Sequence, residues 1–118
     1  DSTMLAKKHR FYGQGAIRYI NRKGTSVRAS IFTIKYVPNK RPNSYRVAVV
    51  VSKKVTKSAP KRNRIRRRIY EIIRTQATSY INGYDVVIIV FNDRPVTMPH
   101  DELSESIREV LSQIQPTS

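Results

Sequence analysis

From Val86 to Phe91 the chain reads Val-Val-Ile-Ile-Val-Phe, an unbroken apolar run entered through Asp85. It falls far short of the roughly 18 residues that a membrane-spanning helix needs. Its β-branched content favours an extended strand. A strand that is apolar at every position has no face for water, so it belongs in the middle of a sheet. The remaining sequence has to supply strands to flank it and helices to cover it.

Two further segments have strand character. Residues 30–37 are β-branched and aromatic, with Phe32, Ile34 and Tyr36 facing one way and Ile31, Thr33 and Lys35 the other. Residues 45–52 place Val47, Val49 and Val51 on a core face and Ala48, Val50 and Ser52 on the opposite one. Residues 38–44, with two prolines and two asparagines, read as a loop, and the simplest pairing of its two strands is antiparallel. Residues 13–23 are weakly helical, carry the stripe Ala16, Ile17 and Ile20, and end at Gly24. A longer helix starts near Pro60 and runs to about Thr78, with Ile65, Ile69, Ile72 and Ile73 at helical spacing. Asn82-Gly83 is a turn and 92–98 a loop. A last helix over residues 99–115 aligns Leu103, Ile107, Val110, Leu111 and Ile114. The expected fold is α+β: a single two-layer α/β sandwich in the order α-β-β-α-β-α. Asp1-Ser2-Thr3 precede Met4 and read as a cloning remnant, so the expected domain is 4–118.

Charge shows where a partner binds. The formal net charge is +15 over 118 residues. Residues 1–74 hold 21 of the 23 basic residues and 2 of the 8 acidic ones. So large an excess implies a polyanionic partner. It concentrates in Lys61-Arg-Asn-Arg-Ile-Arg-Arg-Arg68, where six of eight residues are basic. On a helix, Asn63, Arg64, Arg67 and Arg74 point away from the isoleucine stripe, while Arg66 and Arg68 flank it. A solvated helix face normally mixes signs; here arginine stacks on arginine, a repulsion that bound phosphates relieve. Arginine also offers a planar fork to phosphate oxygens and a flat surface to bases. Asn63 can donate to or accept from a sugar or base edge. Lys7, Lys8 and Arg10 form a basic arm ahead of the first helix.

No catalytic set emerges. There is no cysteine, and His9 and His100 are far apart in sequence. Asp101, Glu102, Glu105 and Glu109 occupy the polar side of the last helix, and Asp85 and Asp93 read as turn residues flanking a strand. No metal-ligand spacing or glycine-rich phosphate loop is present. No signal peptide is recognisable, because the early basic residues are followed by no apolar stretch.

The block Arg62-Asn63-Arg64-Ile65-Arg66-Arg67, preceded by Val51-Ser52-Lys53-Lys54-Val55, resembles the signature helix of bacterial ribonuclease P protein components. Arg10-Phe11, Gly24 and Tyr84-Asp85-Val86-Val87-Ile88-Ile89 extend the resemblance from Met4 to about Leu111. It implies a fold similar to the second domain of ribosomal protein S5, with a left-handed β-α-β crossover around the Arg-rich helix. It implies the ribonuclease P RNA and precursor tRNA as partners, with no membrane and no obligate protein partner. The chemistry would lie in the RNA with Mg²⁺, the protein holding no cofactor or metal and acting in the bacterial cytoplasm. Lys53, Lys54, Lys61, Arg62, Asn63, Arg64, Arg66, Arg67 and Arg68 would meet the catalytic RNA. Ile17, Asn21, Lys35, Ala48, Val50 and Ser52 would line the cleft for the 5′ leader. The chain departs from the family at Ile17 and Asn21, where aromatic residues are usual, and after the late strand, where Phe91-Asn92 replaces a frequent arginine. Two alternatives stay open on the residues alone: a ribosomal or other structural RNA-binding protein of similar fold, and a DNA-binding module. Against the latter, only one helix is basic and no short helix-turn-helix pair precedes it.

Overall fold

The computed structural model describes residues 14–29, 31–39 and 45–114. The elements are α1 (Gln14–Lys23), β1 (Thr25–Arg28), β2 (Phe32–Pro38), β3 (Arg46–Val51), α2 (Ala59–Ile72), a π-helical turn (Ile73–Ala77), α3 (Thr78–Ile81), β4 (Tyr84–Val90), a 3-10 turn (Arg94–Val96) and α4 (His100–Leu111). The strands form one sheet in the order β1-β2-β4-β3. This is the α+β sandwich the sequence predicts, with one strand, β1, added to the expected order.

β4 takes the central place its composition demands, but the pairing around it differs from expectation. β2 and β3 do not pair with each other; β4 lies between them, antiparallel to β2 and parallel to β3. A β2–β3 hairpin would leave β4 with an unpaired edge, whereas the interposed position pairs both its edges. The chain reaches β4 from β3 by crossing over through α2. Residues 40–44 of the expected β2–β3 loop lie outside the described residues.

Asp85 secures this arrangement. It is no turn residue: it lies within β4, only 6% exposed. Its carboxylate accepts from Arg46 Nη2 at 2.7 Å and Nε at 3.3 Å, and from Asn39 Nδ2 at 3.1 Å. Arg46 opens β3 and Asn39 follows β2, so one carboxylate ties both neighbours to the central strand. The hydrogen bond to Asp85 raises the Arg46 pKa, an effect that partial burial opposes.

The main core fills the space between the sheet and α2, α3 and α4, with Phe32, Ile34, Val47, Val49, Val86 and Ile88 contributed by the strands. Ile31 belongs to this core too, although alternation from Phe32 predicts the other face. It precedes the regular part of β2, where the chain bends and alternation no longer applies. On the opposite face α1 packs against β2 and β4, and Ile20 meets Ala48 and Val87 in a second, smaller cluster. Gly24 makes that docking possible: a Cβ there would sit 2.5 Å from the Ile20 carbonyl oxygen and 3.1 Å from that of Tyr36. At the other tight turn, Gly83 has φ 89°, a left-handed conformation that glycine adopts without steric cost.

The long helix outruns its predicted end by means of the π turn. Ile65, Ile69, Ile73, Ala77 and Ile81 recur every fourth residue and are all 0% exposed. In a regular α-helix each four-residue step overshoots a full turn by about 40°, so such a stripe would rotate out of the core. The wider π turn takes back part of that rotation and keeps Ala77 and Ile81 buried.

Candidate nucleic-acid interface

α2 starts where its local chemistry allows. The Ser58 hydroxyl accepts from the Lys61 N–H at 3.3 Å, and Pro60 occupies the first turn. Ile65 and Ile69 then fix the helix against the sheet. Tyr70 adds a polar anchor that sequence reading missed: its buried hydroxyl accepts from the Val49 N–H at 3.1 Å, on the edge strand β3. Its place beside Ile69 on the apolar side of α2 is the signal that could have found it.

With that side fixed, Lys61, Asn63, Arg64 and Arg67 are exposed, and Arg62, Arg66 and Arg68 are half-buried. The arginines are not equivalent. Arg62 donates to the Thr56 carbonyl at 2.9 Å and stiffens the approach to the helix. Arg66 donates to the Asn63 side chain, one turn back. Arg64 uses Nε on the Val96 carbonyl at 2.8 Å, and its side chain stays exposed. Arg68 donates Nη1 to Pro95 O and Nη2 to Met98 O, both at 2.6 Å. It clamps the 94–98 segment to α2, a role inside the protein where sequence reasoning assigned it one toward RNA. Burial and the adjacent Arg64 charge hold its pKa below the ordinary arginine value. Arg74 pairs with Glu71 at 2.5 Å, so the far end of the basic face is partly neutralised.

Upstream of the helix, Ser52 shapes a turn. Its hydroxyl accepts from the Lys54 N–H at 3.2 Å and its carbonyl from the Val55 N–H at 3.1 Å. Lys53 and Lys54 are thereby presented to solvent in the connection that leads to α2.

The expected cleft lies on the other face of the sheet. Register sets Lys35, Val87 and Ala48 in one row and Thr33, Ile89 and Val50 in the next, with Ser52 just past the end of β3. α1 covers the first row through Ile20. Lys35, Ala48 and Val50 therefore share one face, as predicted, whereas Ser52 opens the turn that follows β3. Ile17 and Asn21 fall on α1, but their side chains lie outside the described residues, as do Lys7, Lys8 and Arg10 of the basic arm. Tyr19 on α1 is 51% exposed. β1 brings Ser26 and Arg28 to this face opposite Lys35 and Thr33; with Val27 its only apolar residue, it has too little periodicity to be recognised in advance. Phe91 also went unassigned.

Among the described residues no three of His, Asp and Glu cluster as metal ligands, and no helix is long and apolar enough to cross a membrane. The arrangement suits binding of an extended polyanion: a cationic helix face, a turn bearing two lysines, and a partly covered sheet face.

Comparison with known proteins identifies the family and the fold. Residues 5–115 match the family model Ribonuclease P. The ribonuclease P protein component of Petrotoga mobilis is 36% identical over 104 residues, covering 88% of this chain and 79% of the relative. The RNase P protein of Staphylococcus aureus superposes with a TM-score of 0.76 at 28% identity, covering 89% of this chain and 94% of that one. The RNase P protein of Thermotoga maritima shares the fold, with a TM-score of 0.76 at 22% identity over 85% of this chain and 92% of its own. The chain belongs to the ribonuclease P family, as a protein component of the bacterial type.

Proposed function

We propose that this protein binds the catalytic RNA of ribonuclease P through the exposed side of α2 and guides the 5′ leader of precursor tRNA over the sheet face beside α1. Family membership makes it a subunit of an endoribonuclease holoenzyme active in tRNA processing. The observation that carries the finer reading is the set Lys53, Lys54, Lys61, Arg64 and Arg67, all exposed around one end of the sheet and one helix side. Asn63, Arg62 and Arg66 join it, partly ordered by their own hydrogen bonds, and Arg68 supports it from behind. Phosphates neutralise this charge at little ordering cost, because α2 is rigid and the turn at Ser52 is hydrogen-bonded.

The protein's role is to bind and orient. In this reading the Mg²⁺ that the reaction uses belongs to the RNA, and hydrolysis of the phosphodiester to the ribonucleoprotein centre. The expected place of action is the bacterial cytoplasm. The test is cleavage of a precursor tRNA by a bacterial ribonuclease P RNA at low Mg²⁺, with and without the protein. Strong stimulation, with no cleavage by the protein alone, is the expected result. Absence of stimulation by folded protein, with cognate RNAs, would sink the reading.

A further inference from the structure

Arg64 and Arg68 stand about one helical turn apart on α2, and both reach the same short segment between β4 and α4. That segment opens with the 3-10 turn Arg94–Val96 and is folded by its own backbone: the N–H groups of Thr97 and Met98 donate to the Arg94 carbonyl at 3.2 and 3.0 Å. The buried Pro95 stiffens it further, because its ring fixes φ. The carbonyls of Pro95, Val96 and Met98 accept from α2 instead. Arg68 takes Pro95 O and Met98 O, both at 2.6 Å, and reaches Val96 O at 3.4 Å. The Val96 carbonyl is therefore held in place, and it accepts from Arg64 Nε at 2.8 Å.

This bond decides how Arg64 meets a ligand. With Nε engaged by a fixed carbonyl, the guanidinium cannot turn freely at the end of its stem. Its two Nη groups have no protein partner among the described residues, and the side chain is exposed. Together they form an edge that matches two oxygens of a phosphate. Arg67, also exposed on α2, makes no hydrogen bond to the described residues, so this restraint belongs to Arg64. A long side chain that is ordered before binding loses less freedom when the ligand arrives. We infer that the segment from Arg94 to Met98 is a positioning element for RNA binding: braced by Arg68 and Pro95, its Val96 carbonyl aims the Arg64 fork at one phosphate of the ribonuclease P RNA. The inference rests on the proposed function and deepens it, by naming residues outside the cationic face that set how tightly that face grips.

The test measures the affinity of full-length protein for folded bacterial ribonuclease P RNA over a salt series, in a double-mutant cycle of Arg68→Lys with Arg64→Ala. Lysine keeps the charge at position 68 but lacks the fork that spans two carbonyls. Arg68→Lys is expected to weaken binding about two- to tenfold, the effect of leaving one long side chain to be ordered on binding. The log–log salt slope should stay unchanged, because no phosphate contact is lost. In the Arg64→Ala background the same change is expected to have no further effect. Pro95→Gly, which slackens the segment and alters no charge, should repeat both results. An equal loss in both backgrounds would overturn the positioning role, since it marks either general damage to the fold or a direct phosphate contact by residue 68. So would wild-type affinity in folded Arg68→Lys and Pro95→Gly proteins. Failure of the parent reading looks different: Arg64→Ala by itself would then leave both affinity and salt slope unaltered.

Discussion

Of the neighbours Arg67 and Arg68, the first is exposed on α2 and the second donates to the carbonyls of Pro95 and Met98. Composition treats them alike; geometry separates them. Arg67→Ala should leave stability within about 0.5 kcal/mol of wild type and lower the salt dependence of RNA binding by roughly one phosphate contact. Arg68→Ala should cost about 1–2 kcal/mol in denaturant unfolding, since it strands acceptors that a charged donor satisfied. A stability loss of equal size in both would refute the division. Asp85 makes a similar case. Asp85→Ala removes the acceptor shared by Arg46 and Asn39, and a loss of about 1–3 kcal/mol is expected, moderated by the partial exposure of Arg46. Calorimetry on the two proteins would check it. Sequence reading took Asp85 for a turn residue because its partners are 39 and 46 positions away. No local pattern reveals a hydrogen bond of that span.

Legibility at the level of elements followed the same divide between local and distant. The isoleucine stripe of α2, the two faces of β3 and the apolar run of β4 were all readable, because a helix or strand writes its burial into adjacent residues. The pairing of β2 with β4 rather than β3 was not, because strands of similar composition can be arranged in several ways until the crossover is known. β1 escaped notice with one apolar residue in four, and the π turn because its effect is to preserve a four-residue spacing that plain helical periodicity excludes. The candidate site divides likewise. The cationic helix was evident from charge alone, whereas the placement of Ser26 and Arg28 opposite Lys35 and Thr33 depends on β1 being where it is. Gly24 offers an element-scale test. Gly24→Ala drives a Cβ against the Ile20 carbonyl, and must push α1 off the sheet or bend its end. A loss of about 1–3 kcal/mol is expected, together with weaker binding of long-leader substrate if α1 walls the leader's path. Thermal unfolding and a leader-length binding series would measure the two effects.

Across the whole molecule, charge and packing are segregated. Residues 75–118 carry 6 of the 8 acidic residues and only 2 basic ones, and they supply β4 and α4. RNA affinity should fall steeply with salt, with a log–log slope of about −0.7 to −0.9 for each phosphate contacted. Arg64→Ala combined with Arg67→Ala should flatten that slope by roughly 1.5; an unaltered slope in the folded double variant would remove this side of α2 from the interface. The interposed central strand has one more consequence, and it concerns time. During synthesis β2 and β3 leave the ribosome before β4 exists, and although β2 has β1 to pair with, β3 cannot join the sheet without β4. The most basic stretch of the chain must therefore wait, without a completed sheet to pack on, until a run of six apolar residues arrives to slip between strands that could otherwise meet each other.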